Sequence, residues 1–152
     1  MIKIFGALAL GAVLALSMVG VRAADLSTPA GLWQTIDDKT GLPRSYVRIV
    51  ETNGAYEGRV EQLLNRQPDE AAEPLCTDCP GERKGKPIIG LTILWGLKKD
   101  GDAWTGGEIL DPKNGKIYRC KMQLTDGGKK LAVRGFIGIS LIGRTQTWLR
   151  EE

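Results

Sequence analysis

Three cysteines carry the chemistry most easily read from this sequence. Cys76 and Cys79 stand in a Cys-Thr-Asp-Cys string. That spacing suits a redox dithiol, a local disulfide or half of a metal site. A redox pair wants its first thiol at a helix N-terminus, where the pKa falls. Here the string sits among prolines, with Pro80 directly behind it, so a structural Cys76–Cys79 disulfide is the expected state. Zinc is a poorer fit, because three Cys and no His leave a fourth ligand to be found. Cys120 is expected to be a small buried hydrophobe, and a bridge to Cys76 or Cys79 is the alternative.

The absence of His excludes Ser-His-Asp and Cys-His catalysis and every His-ligated zinc site. Ser27, Ser45 and Ser140 have neither a GxSxG context nor a lysine three residues on. Asp37, Asp38, Glu57, Glu61, Glu108 and Asp111 show no spacing that singles out a pair for acid–base work. The expectation is a protein that is not an enzyme, without metal or cofactor. The side chains better suited to a site are large and apolar or able to stack. Trp33, Trp95, Tyr118, Met122, Arg144 and Trp148 are the candidate ligand-binding set, as the lining of a cavity. A tryptophan from the first strand and an arginine from the last, in the string Gly143 to Trp148, could stack to seal one end.

Those side chains need strands to position them, and the chain alternates as strands do. Tyr118, Cys120, Met122 and Leu124 share one face, with Arg119, Lys121 and Gln123 on the other. Tyr56, Gly58, Val60 and Leu64 alternate with Glu57, Arg59 and Glu61. Leu91, Ile93, Trp95 and Leu97 are expected to share a face. Further strands are expected over Leu32–Ile36, Tyr46–Glu51, Ala103–Leu110, Lys130–Ile137 and Leu141–Arg150. Only Val60–Gln67 carries a weak helical period. Asp100-Gly101, Asn114-Gly115 and Asp126-Gly127-Gly128 supply the positive φ of tight hairpins, which predicts a meander. Eight short strands joined by tight turns suggest a closed barrel or a sandwich, and a meander favours the eight-stranded up-and-down antiparallel barrel, which can close and abolish its edges. Gly106-Gly107, Gly135, Gly138 and Gly143 mark expected bends or bulges. Residues 65–87 hold four prolines and two cysteines, and are expected to form a tethered flap over the barrel mouth.

The first 23 residues read differently. Lys3 precedes an uncharged run from Ile4 to Val21, and Val21-Arg22-Ala23 presents a cleavage site after Ala23. A signal peptide over 1–23 and a single domain over 24–152 are expected, with export to the periplasm and membrane contact only through that peptide. A membrane anchor is the alternative for the run. From 21 basic and 18 acidic residues, loss of Lys3 and Arg22 leaves a net charge of +1. No basic stripe is evident and no nucleic-acid partner is expected.

These segments together resemble a family of secreted bacterial proteins, the domain of unknown function numbered 2147. The resemblance rests on Gly31-Leu32-Trp33-Gln34-Thr35-Ile36-Asp37-Asp38, Cys76-x-x-Cys79-x-Gly81 and Pro87-Ile88-Ile89-Gly90-Leu91. It continues through Ile109-Leu110-Asp111-Pro112-x-Asn114-Gly115-Lys116-x-Tyr118 and Gly138-x-x-x-x-Gly143-Arg144-Thr145-x-x-Trp148. It implies a lipocalin-like barrel in the periplasm and no established reaction. Gly31-x-Trp33 with Arg144 near the end is similar to the lipocalin pattern. Three functions compete. The leading one is a binding or carrier module for a small apolar or amphipathic ligand. The second is an envelope interaction protein with a filled barrel, docking through Arg83-Lys84-x-Lys86. A redox factor using Cys76 and Cys79 comes last.

Overall fold

A computed structural model describes residues 23–152. The expected signal peptide lies outside the described residues except for Ala23. Eight strands follow one another: β1 Gly31–Ile36, β2 Pro43–Thr52, β3 Ala55–Leu63, β4 Thr92–Asp100, β5 Ala103–Asp111, β6 Lys116–Thr125, β7 Lys130–Phe136 and β8 Gly143–Arg150. Each pairs antiparallel with the next, and β8 returns to β1, so the sheet closes into a barrel. The period of two that defines each strand therefore also sorts its side chains into an interior and an exterior. Val60–Gln67 is not helical: β3 runs through Leu63, and its pairing with β2 outweighs the weak local period.

Tight turns close the hairpins where Asp-Gly and Asn-Gly occur. Asn53 and Gly54, between β2 and β3, both take positive φ (54° and 79°), the conformation of a two-residue hairpin turn. The core is contiguous from Trp33 and Ile49 through Leu94 and Leu97 to Leu131 and Trp148.

One alternation fails. Leu94 and Leu97 are buried while Trp95 between them is not. The register of β3 against β4 slips on both sides of Gly58, so β4 carries extra residues there. Gly96 has φ +73°, and its missing side chain lets it approach Gly107 of β5, where a second bulge follows Trp104. A Cβ on Gly107 would sit 2.4 Å from the Trp95 carbonyl oxygen. Paired bulges turn the corner of the barrel and swing Trp95 to the outside. There its indole N–H donates to Glu108 (3.0 Å), and the Arg83 guanidinium lies 4.2 Å from its ring centroid.

The 64–91 connection is tethered. Leu75 bridges Pro87, Gly90 and Leu91 exchange backbone hydrogen bonds with Val60, and Arg44 pairs with Glu70 at 2.9 Å. Cys76 and Cys79 form a buried disulfide. Gly115 lies so close to Asp78 that any Cβ there would collide with its carbonyl. The staple is thus pressed onto the β5–β6 turn.

Candidate functional site

The two ends of the barrel are built differently. At one end lie the β2–β3, β4–β5 and β6–β7 turns, the start of β1 and the end of β8. Here Trp33 is fully buried and its indole N–H donates to the Pro29 carbonyl (2.8 Å). The Arg150 guanidinium stacks 4.2 Å from the Trp33 ring centroid. It also donates to the carbonyls of Gly128 (2.7 Å), Ala30 (2.8 Å) and Thr28 (2.7 Å). Tyr56 and Trp104 meet edge to face at 6.0 Å, and Met122 and Leu131 fill the space between strands. This end is plugged. The arginine that seals it is Arg150, not Arg144. Both face inward on β8, but six residues along a strand separate them by about 20 Å, most of the barrel's length.

The other end is open. A cavity of about 740 Å³ extends inward from the mouth. Val60, Ile93, Ile109, Tyr118, Val133 and Trp148 form its apolar wall. Gly135, opposite Tyr118 and Ile109, leaves room that a side chain would take. Polar groups gather in one sector. The Thr35 and Ser45 hydroxyls are buried 2.7 Å apart. The Trp148 indole donates to Gln146 (3.3 Å), Gln146 donates to Asp38 (2.9 Å), and Arg144 pairs with the same Asp38 oxygen (3.0 Å).

The β1–β2 loop and the β5–β6 turn lie on opposite sides of an eight-stranded barrel. Lys113 reaches from the second to Asp37 on the first, 3.1 Å, so an ion pair spans the mouth. Asp37 also accepts from the backbone N–H groups of Lys39 and Thr40. The Lys113 hydrogen bond, followed by those of Thr40 and Lys39, holds its carboxyl well below the usual carboxylate range. Pro74 and Ile88 from the tethered connection complete one wall without covering the mouth.

Of the six candidate lining residues, the structure brings three together. Tyr118, Arg144 and Trp148 line the cavity. Trp33 and Met122 belong to the plug, and Trp95 is outside. The Lys113–Asp37 pair escaped the sequence reading, since nothing local joins residues 76 positions apart. Cys120 is buried, unpaired and inward facing; burial pushes its thiol pKa up to about 12. Among the described residues no group of three or more Cys, Asp and Glu could hold a metal ion.

A closed eight-stranded antiparallel meander with one plugged and one open end defines a lipocalin-like barrel. A solved structure shares this fold. It is HP1028 from the human pathogen Helicobacter pylori, described as belonging to the lipocalin family, with a TM-score of 0.69 and 20% identity over 86% of this chain and 85% of that one. The chain belongs to the bacterial family of domain of unknown function 2147, described as uncharacterized proteins conserved in bacteria, whose profile matches residues 31–150. No curated protein matches the chain.

Proposed function

We propose that this barrel binds or carries one small amphipathic molecule, its apolar part in the cavity and its polar part among Asp38, Gln146 and Arg144 at the mouth. The observation that carries this reading is the open, largely apolar cavity of about 740 Å³, within the size range of small-molecule sites. Burying an acyl chain or ring there removes apolar surface from water at about 25 cal/mol per Å². The barrel is not filled throughout, so a purely structural role leaves this space without a use. Export after removal of 1–23 belongs to the same proposal: a carrier of this kind would act in the periplasm. No nucleic acid or cofactor enters the reading.

Native mass spectrometry of the purified protein, compared with the denatured mass, tests it. A reproducible added mass released by denaturation is expected, or else saturable uptake of a dansyl-labelled fatty acid. Val133→Trp, which fills the cavity from its wall, should abolish uptake while the circular dichroism spectrum stays that of the barrel. Uptake that survives Val133→Trp, or a bare mass together with no uptake, would overturn the reading.

A further inference from the structure

The near balance of charge over residues 23–152, 19 basic against 18 acidic, conceals a segregation. From Pro112 to Arg150, which covers β6, β7 and β8, there are nine basic residues and a single acid, Asp126. Asp126 lies in the β6–β7 turn at the plugged end. On the outer face of the wall, Lys121 stands opposite Arg134, and Arg119 stands two residues nearer the mouth. Neither Arg119 nor Lys121 forms an ion pair among the described residues. The other face of the molecule holds the surplus of carboxylates.

At the mouth end of this basic wall, the β7–β8 loop projects four aliphatic side chains into solvent. Ile137, Ile139, Leu141 and Ile142 are 67%, 59%, 85% and 65% exposed. Such a cluster on a soluble domain is unusual and marks an interaction surface. The loop ties up much of its own backbone. Ile137 N–H donates to the Ile142 carbonyl (3.2 Å), Ile142 N–H to the Ile139 carbonyl (3.1 Å), and Arg134 Nε to the Ser140 carbonyl (2.6 Å). Polar groups satisfied internally lower the cost of entering an apolar medium.

We propose that the β7–β8 loop and the basic outer face of β6 and β7, with Arg119, Lys121 and Arg134, dock the barrel on an anionic lipid bilayer. The loop projects four aliphatic side chains and no charge, so it suits a deformable acyl layer better than a preformed protein groove. Cations around its base match acidic headgroups, within the short range where each contributes. Nucleic acid would use the cations but leave the aliphatic tip without purpose. Ile137 and Ile142 also edge the cavity, so the bound lipid surface would adjoin its mouth. The inference does not depend on the cavity holding a ligand.

The test places an environment-sensitive fluorophore on the loop through Ser140→Cys; Cys120 is buried and Cys76–Cys79 is bonded, so the label has one site. The full chain is titrated with vesicles of phosphatidylcholine alone or mixed with phosphatidylglycerol. Every variant shares the same N-terminus, so differences between them report the loop. A blue shift with the anionic vesicles, diminished by salt, is expected. Ile139→Asp with Leu141→Asp should weaken vesicle affinity by about a hundredfold, from about tenfold per aliphatic side chain. Arg119→Glu with Lys121→Glu should weaken it by about thirtyfold. A label that stays in water with all vesicles, a shift equal on neutral and anionic vesicles, or one reproduced by single-stranded DNA would overturn the proposal. Unchanged uptake of the fatty-acid probe by both double variants would keep this result separate from that of the cavity.

Discussion

The plugged and open ends of this barrel use the same strands to opposite effect. At the plug, Trp33, Tyr56, Trp104, Met122 and Leu131 turn large side chains inward, and the N-terminal segment from Leu26 to Ala30 packs beneath. One half-buried guanidinium then satisfies three backbone carbonyls and a ring face. At the mouth, inward positions carry Thr35, Ser45, Gly135 and Gln146, and the β1–β2, β3–β4 and β7–β8 connections are longer than any turn at the plug. The contrast teaches that stability and binding are separated along the barrel axis. One end closes the fold tightly enough for the other to stay empty.

Substitutions can break that separation or sharpen it. The largest effect should come from Trp33→Ala, about 3–5 kcal/mol of stability lost, read by urea denaturation, with probe uptake unchanged below the transition. An equal loss from Tyr118→Ala, which is only half-buried at the mouth, would erase the distinction between the ends. Arg150→Ala should cost about 2–4 kcal/mol, since three carbonyls lose a charged donor. Arg150→Lys should restore only part of this, because an ammonium cannot copy the three-way fork.

Cys76→Ala with Cys79→Ala should cost about 2 kcal/mol, the chain-entropy value for so short a loop, seen as a lower Tm. Lys113→Ala should change stability by no more than about 1 kcal/mol, the usual worth of an exposed ion pair. Its effect belongs to the mouth: release of the fatty-acid probe should quicken, measured by stopped flow. An unchanged release rate would mean that the ion pair does not guard the cavity.

The smallest effects should come from pH. Asp37 has a folded pKa below its unfolded value of about 3.9, so its contribution is present above that value and is lost as pH falls further. Stability should therefore fall below about pH 4, and Asp37→Asn should flatten that limb. Cys120 works in the other direction. Its folded pKa is raised, so stability should decline as pH climbs past the unfolded value of about 8.5, and Cys120→Ala should lessen the decline. The chain has no histidine, the side chain whose ordinary pKa of about 6.5 makes it the usual switch near neutral pH.

Legibility followed the range of the forces involved. All eight strands and three hairpin turns were readable, because a period of two and an Asp-Gly turn act within a few residues. The Cys76–Cys79 staple was readable for the same reason. Trp95 was misplaced because one bulge at Gly96 reverses the facing of its neighbours along β4, and alternation cannot register an inserted residue until its partner strand is known. Arg150 escaped the sequence reading, which looked for the sealing arginine in the string Gly143 to Trp148; both arginines face inward on β8, and only the closed barrel decides which reaches Trp33.

The sequence by itself determined a barrel: alternating apolar positions, tight turns and a short disulfide have no better joint solution than a closed meander. Tertiary structure alone decided where that barrel is solid and where it is hollow. An empty volume is a difference between the space enclosed by eight strands and the side chains they contribute from positions far apart in the chain. It also decided which cations share the outer wall, Arg119 and Lys121 of β6 beside Arg134 of β7, while Arg144 and Arg150 of β8 turn inward, because the pairing register sets which side chains stand together.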